Sequence, residues 1–174
     1  MERKVPGVIL DTLGIPGTRA AQMLEWDRDL FREHLRRRRP DLVVLAYGTN
    51  EAGDDEVPIG RYANDLREVL RRVHEAAPNA SCLLVGPSDR PQKLPDGGWD
   101  HRPRTALVNE VQRTVAAEAG CGFFDVIRFM GGDLSMLRWV ESDPPLAQPD
   151  HVHFTRDGYE ALGREILARL LPRR

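Results

Sequence analysis

Short apolar runs alternate with longer stretches of mixed polarity along the whole chain, and the spacing within each sets an expected element. Residues 8–10 open the first run as a strand, which ends at the turn-forming Gly14-Ile15-Pro16-Gly17. A helix is expected over residues 18–38, with Leu24, Phe31 and Leu35 recurring along one side. Residues 42–46 are nearly all apolar, as in a strand buried on both faces. After Pro58, Tyr62, Leu66, Val69, Leu70 and Val73 form the inner stripe of a second helix, closed by Pro78-Asn79. Residues 81–85 read as a strand, 103–119 as an amphipathic helix and 122–126 as the last strand. Residues 129–139 suggest a turn and a short packed helix. A final helix runs from 155 or 156 to 171, with Tyr159, Leu162, Ile166 and Leu170 on one side and Pro172 as its stop.

Four strands alternating with four helices imply an α/β fold with a parallel sheet covered by helices. The 174 residues suit one domain, and 41% hydrophobic with 30% charged residues is enough to bury a core. Lysine and arginine total 25 against 27 acidic residues, so no long-range field attracts nucleic acid or anionic lipid. The basic run Arg36 to Arg39 ends a helix, where cations complement the dipole. No apolar stretch is long enough for a membrane span, and the first seven residues do not form a signal peptide, so the compartment is left open. Cys82 and Cys121 lie in or beside apolar strands, which suits buried thiols better than a disulfide framework.

Binding groups in parallel α/β sheets gather beyond the carboxyl ends of the strands. Gly17 follows the first run and Asn50, in Tyr47-Gly48-Thr49-Asn50-Glu51, follows the second strand. Asp150 and His153 precede the last helix. A carboxylate three residues before a histidine can hold the imidazole through Nδ1 and leave Nε2 free as a base, while an asparagine at a strand exit can aim its amide at an oxyanion. Taken singly, the glycines also suit a strand-to-helix turn, Gly48-Thr49-Asn50 an ordinary turn, and Asp150 with His153 a helix cap beside a surface histidine. His151 and His153 point to opposite sides of an extended segment, so no metal centre is expected there. His34 and His74 read as surface residues of charged helices. The irregular stretch 86–102 is the expected substrate-facing loop, with Trp99 and His101 as its candidate contacts.

In order, Gly14-Ile15-Pro16-Gly17, Tyr47-Gly48-Thr49-Asn50-Glu51 and Asp150-His151-Val152-His153-Phe154-Thr155 resemble the blocks of the SGNH (GDSL-type) hydrolases, most closely the branch with bacterial peptidoglycan O-acetylesterases. The resemblance covers almost the whole chain. It implies a flavodoxin-like three-layer α/β/α sandwich, with residues 1–174 forming the C-terminal portion of one esterase domain from the glycine block onward. It also implies His153 as general base, Asp150 as its orienter, Gly17 and Asn50 as oxyanion donors, and no cofactor. The implied substrate is an O-acetylated cell-envelope glycan or another small ester, which would place the protein in the periplasm or outside the cell.

The family's Gly-Asp-Ser block and its central strand have no counterpart here. The resemblance therefore implies an upstream segment carrying the serine and, in this branch, a β-sandwich insertion. Of Ser81, Ser88, Ser135 and Ser142, only Ser88 falls just beyond a strand. The alternative reading is a degenerate domain that binds glycan or serves as a scaffold without catalysis.

Overall fold

The computed structural model describes residues 7–171. In chain order it contains a 3-10 helix, Ala20–Leu24, then α1 (Arg28–Arg38), β1 (Leu42–Ala46), a second 3-10 helix, Glu51–Gly53, and α2 (Ile59–Ala76). There follow β2 (Ser81–Val85), β3 (Gln92–Lys93), β4 (Trp99–Asp100), α3 (Pro103–Glu118), β5 (Gly122–Phe124), α4 (Val126–Met130), α5 (Ser135–Glu141) and α6 (Arg156–Leu170). β1, β2 and β5 form one parallel sheet in that order, with Leu42 opposite Ser81 and Leu83 opposite Gly122. β3 and β4 form a separate antiparallel hairpin inside the expected substrate loop.

Side chains alternate across the sheet, and each face buries its own cluster. Leu45 and Leu84 join Tyr62, Leu66, Val69 and Leu70 of α2 and Val108 and Val115 of α3 on one side. Leu83, Val85 and Phe124 face Met130, Met136, Trp139 and Phe154 on the other, with Leu162 and Ile166 of α6 packed behind them. The result is the parallel sheet covered by helices expected from the segment order, and the three-layer α/β/α sandwich that the resemblance implies. Apolar burial of this kind contributes roughly 1.5–3 kcal/mol per large side chain.

Several expected elements differ. Residues 8–10 form no strand: Val8, Ile9 and Leu10 are 91%, 75% and 86% exposed, and the segment pairs with no described strand. Among the described strands only β2 pairs with β1, which is therefore an edge strand, with Val44 47% exposed rather than buried on both faces. The expected helix over 18–38 is broken in two, because the Asp27 carboxylate accepts the Leu30 N–H and starts α1 afresh. The Leu24 carbonyl left at the break accepts a hydrogen bond from Arg72. The last strand stops at Phe124 because Asp125 caps α4, its side chain accepting from the Arg128 N–H at 2.9 Å. On α6, Leu162 and Ile166 are half-buried, but Tyr159 and Leu170 are exposed. Pro172 lies outside the described residues.

The cysteines are not separate thiols: Cys82 and Cys121 are joined in a disulfide. The strand register explains the pairing, since Leu83 lies opposite Gly122 and the residue before each therefore sits on a neighbouring strand, with Cα atoms 4.9 Å apart. His74, expected on the surface, is half-buried beside both sulfurs. A cross-link between residues 39 apart in sequence restricts the unfolded chain. Replacing both cysteines by serine is expected to lower the free energy of unfolding by about 2–4 kcal/mol, measured from urea midpoints under oxidising conditions.

Candidate active site

The carboxyl end of β1 leads directly into a fixed turn. Gly48 has φ +115, and a Cβ there would lie 2.7 Å from Gln112 Nε2 and 3.0 Å from Pro87, so the position has neither the conformation nor the room for a side chain. Gln112 in turn donates to the Tyr47 carbonyl and the Tyr62 hydroxyl. Glu51, only 5% exposed, accepts the Gly48 N–H at 2.9 Å and the Ala20 N–H at 2.8 Å. One carboxylate thus ties the β1 exit to the segment that follows Gly17. Arg104 holds the Glu51 and Val57 carbonyls, and Arg90 donates to the Thr49 carbonyl at 2.6 Å.

Asn50 and the Gly17 turn are brought together by these contacts. The Asn50 amide donates to the Thr18 carbonyl at 3.1 Å. An amide nitrogen carries two hydrogens, so this bond orients the side chain and leaves a second donor for a ligand. Gly17 adopts φ +78 in a turn closed by Thr18, whose N–H and hydroxyl both donate to the Ile15 carbonyl. Arg19 pairs with Asp54, which holds the Asp54 carboxyl below its usual range and fastens the same segment to the β1 side.

The loop before α6 is equally constrained. Gln148 N–H donates to the His153 carbonyl, Thr155 N–H to the Leu146 carbonyl, and Ala147 bridges Phe154. The Thr155 hydroxyl caps α6 by accepting the Gly158 N–H. A Cβ on Gly158 would lie 2.0 Å from the Leu146 carbonyl oxygen, so helix and loop meet only because this residue has no side chain. Within this frame Asp150 Oδ2 lies 2.7 Å from His153 Nδ1, while Oδ1 accepts the Val152 and His153 N–H groups. Burial pushes the Asp150 carboxyl up, but the hydrogen bonds from His153 and Val152 outweigh it and bring it down to about 2. The His153 ring is exposed, with Nε2 facing away from its carboxylate partner.

The two halves are linked by residues 86–102, though not as one open loop. Pro87, Ser88 and Asp89 are buried, and Asp89 accepts the Met136 N–H at the start of α5. Burial raises the Asp89 carboxyl above the ordinary range. The β3–β4 hairpin then projects outward and places Trp99 against His151, ring centroids 4.1 Å apart. Arg102, just beyond it, pairs with Asp55 at 2.9 Å. His101 makes only a local bond, its N–H donating to Asp100. Ser135 is fully buried, Ser81 opens β2 at the opposite end of the sheet, and Ser142 is engaged by Trp139, Pro144 and Leu146. None of the four serines hydrogen-bonds to His153 among the described residues.

Glu51 and the arginines at positions 90 and 104 were not singled out by sequence reasoning. A buried acid that accepts two backbone N–H groups leaves no periodic signature, so only its position next to Asn50 could have drawn notice. Glu51→Gln exchanges one accepting oxygen for a donor facing an N–H. It is expected to lower stability by about 1–3 kcal/mol, visible as a shifted urea midpoint with an unchanged slope. Asp150 should titrate near 2 in a carbon-detected NMR series. Because its folded value is depressed, its stabilising contribution is complete above the unfolded value of about 3.9 and disappears as pH falls through about 2.

Residues 2–161 match the model of the GDSL-like lipase/acylhydrolase family. No curated protein matches the sequence. The structure is similar to that of a peptidoglycan O-acetylesterase, with a TM-score of 0.75 and 29% identity over 89% of this chain and 45% of that one. This chain therefore spans about half the length of that esterase. It also resembles the acetyl xylan esterase AlAXEase (TM-score 0.67, 15% identity, 91% of this chain and 79% of that one). A lipase/acylhydrolase from Enterococcus faecalis is similar as well (TM-score 0.60, 24% identity, 91% and 75%). A parallel sheet flanked by helices, an asparagine fixed at the β1 exit and a carboxylate-held histidine before the last helix accompany a family match over most of the sequence, and the chain belongs to the GDSL-like lipase/acylhydrolase family.

Proposed function

We propose that this chain carries the base, its orienting acid and the oxyanion donors of an esterase that removes O-acetyl groups from a cell-envelope polysaccharide. The observation that carries this reading is the 2.7 Å contact between Asp150 and His153 Nδ1, which fixes the ring and leaves Nε2 as the basic nitrogen. In the reaction a serine hydroxyl attacks the acetyl carbonyl while His153 Nε2 takes its proton. The Gly17 N–H and the second Asn50 amide hydrogen stabilise the oxyanion, and His153 returns the proton to the leaving sugar hydroxyl. Water then releases acetate by the same route in reverse.

Similarity to a peptidoglycan O-acetylesterase supports an acetylated glycan as substrate. The hairpin carrying Trp99, followed by His101, offers an aromatic face and polar groups beside the loop of His153, a combination suited to a sugar. Residues 1–174 act in this reading as the part of the esterase domain from the glycine block onward, in the cell envelope. The nucleophile is a serine other than the four described above. A segment carrying it would pair with the open edge of β1, beside Asn50.

Acetate release from O-acetylated peptidoglycan tests this, together with p-nitrophenyl acetate hydrolysis. The 174-residue chain is expected to be no faster than its His153→Ala variant, because loss of a serine nucleophile costs about a million-fold in the protease case. Expressed with the coding sequence upstream of Met1, the protein is expected to deacetylate, and Asn50→Ala then to lose about a hundred- to a thousand-fold in turnover. If the 174-residue chain is active and Ser88→Ala abolishes that activity, the nucleophile assignment is wrong. If the longer protein binds acetylated glycan but never releases acetate, the chain is a non-catalytic glycan-binding domain.

A further inference from the structure

A second group of chemically capable side chains lies at the other end of the sheet. Cys82 is the second residue of β2, Cys121 immediately precedes β5, and His74 is in the last turn of α2. The three therefore sit at the amino ends of the strands, whereas Asn50 follows the carboxyl end of β1. His74 Nε2 is 3.7 Å from each sulfur, and the three possible ligand atoms all lie within 4.8 Å of one another. Cys82 is buried, and His74 and Cys121 are half-buried.

We propose that reduction of the Cys82–Cys121 disulfide converts this cluster into a three-ligand site for a zinc-class divalent cation, held by two thiolates and His74 Nε2. Bond lengths of about 2.3 Å to sulfur and about 2.0 Å to nitrogen place the N and S ligands of a tetrahedral ion roughly 3.5 Å apart. The imidazole nitrogen already stands at nearly this separation from both sulfurs. Only the sulfurs must part, by side-chain rotation, after the bond between them is broken. His74 cannot serve as a strong partner of a disulfide, whose sulfurs carry no proton and accept weakly, but neutral imidazole and thiolate are preferred ligands of zinc.

The step balances with an external dithiol as reductant. Two electrons and two protons pass to the disulfide, giving two thiols, while the dithiol closes to its own disulfide. Binding of the cation then forms two metal–sulfur bonds and one metal–nitrogen bond and releases the two thiol protons to solvent. Water fills the fourth position, as in other three-ligand zinc sites. When oxidised, the disulfide fastens β2 to the residue before β5; when reduced, the cation would fasten both to α2 through His74.

Cobalt(II) titration of the tag-free 174-residue chain, reduced by a phosphine and freed of excess reductant, tests the proposal. One cobalt per chain is expected, with thiolate-to-metal charge-transfer absorption that zinc abolishes by displacement. The oxidised chain and the Cys82→Ser/Cys121→Ser variant should show none. His74→Ala should weaken binding by more than about tenfold, the loss that removing even an outer partner of a ligand can cause, and should alter the visible bands. His153→Ala should change neither. If reduction unfolds the chain, zinc is expected to restore its circular dichroism and His74→Ala to fail in this. The proposal is overturned if the reduced chain gives no charge-transfer band, if His74→Ala matches the parent in affinity and spectrum, or if zinc does not refold a chain that reduction has unfolded.

Discussion

The buried carboxylate of Glu51 is the contact on which the upper end of the molecule depends. It accepts two backbone N–H groups, from Gly48 and Ala20, that no ladder or helix satisfies. A buried donor without a partner is costly, so these two bonds decide where the chain before α1 lies relative to the exit of β1. The Gly17 turn and Asn50 come to one place as a consequence, through the bond from Asn50 to the Thr18 carbonyl. Arg104 and Arg90 hold the carbonyls of the same turn, so both polarities of the backbone are satisfied by side chains.

The histidine loop is fixed by different means. Thr155 and the close approach of Gly158 to Leu146 lock it to α6, and Asp150 organises it from within. Trp99 on the β3–β4 hairpin touches it from outside, and the same stretch of chain reaches the β1 side through Arg90 and Arg102. A segment that looks irregular in sequence is thus partly a buried connector and partly a projecting hairpin. The chain pins its candidate site through short polar contacts between loops, while the two apolar clusters supply the rigid layer beneath.

The open edge of β1 is the other consequence of this architecture. A parallel strand buried on both sides needs neighbours on both edges. Here β2 covers one edge, and no described strand covers the other. Val44 remains exposed for that reason, and residues 8–10, whose composition also suits a covered sheet, pair with no described strand.

The sequence by itself determined the alternation of strands and helices, most helix positions and the spacing of the candidate site blocks, because helical and strand periodicities and the Gly, Asn and Asp-x-x-His spacings are local properties. Asp150 meeting His153 follows from three residues of separation within one tight loop. The tertiary structure alone decided which elements found partners. Residues 8–10 have strand character but no ladder, and the helix over 18–38 divides because Asp27 and Arg72 offer better partners to its backbone. It also decided the pairing of Cys82 with Cys121, which depends on the register between β2 and β5, and the placing of His74 and Glu51. Local spacing fixes what a segment prefers, whereas hydrogen-bond partners and close neighbours are set only when distant segments meet.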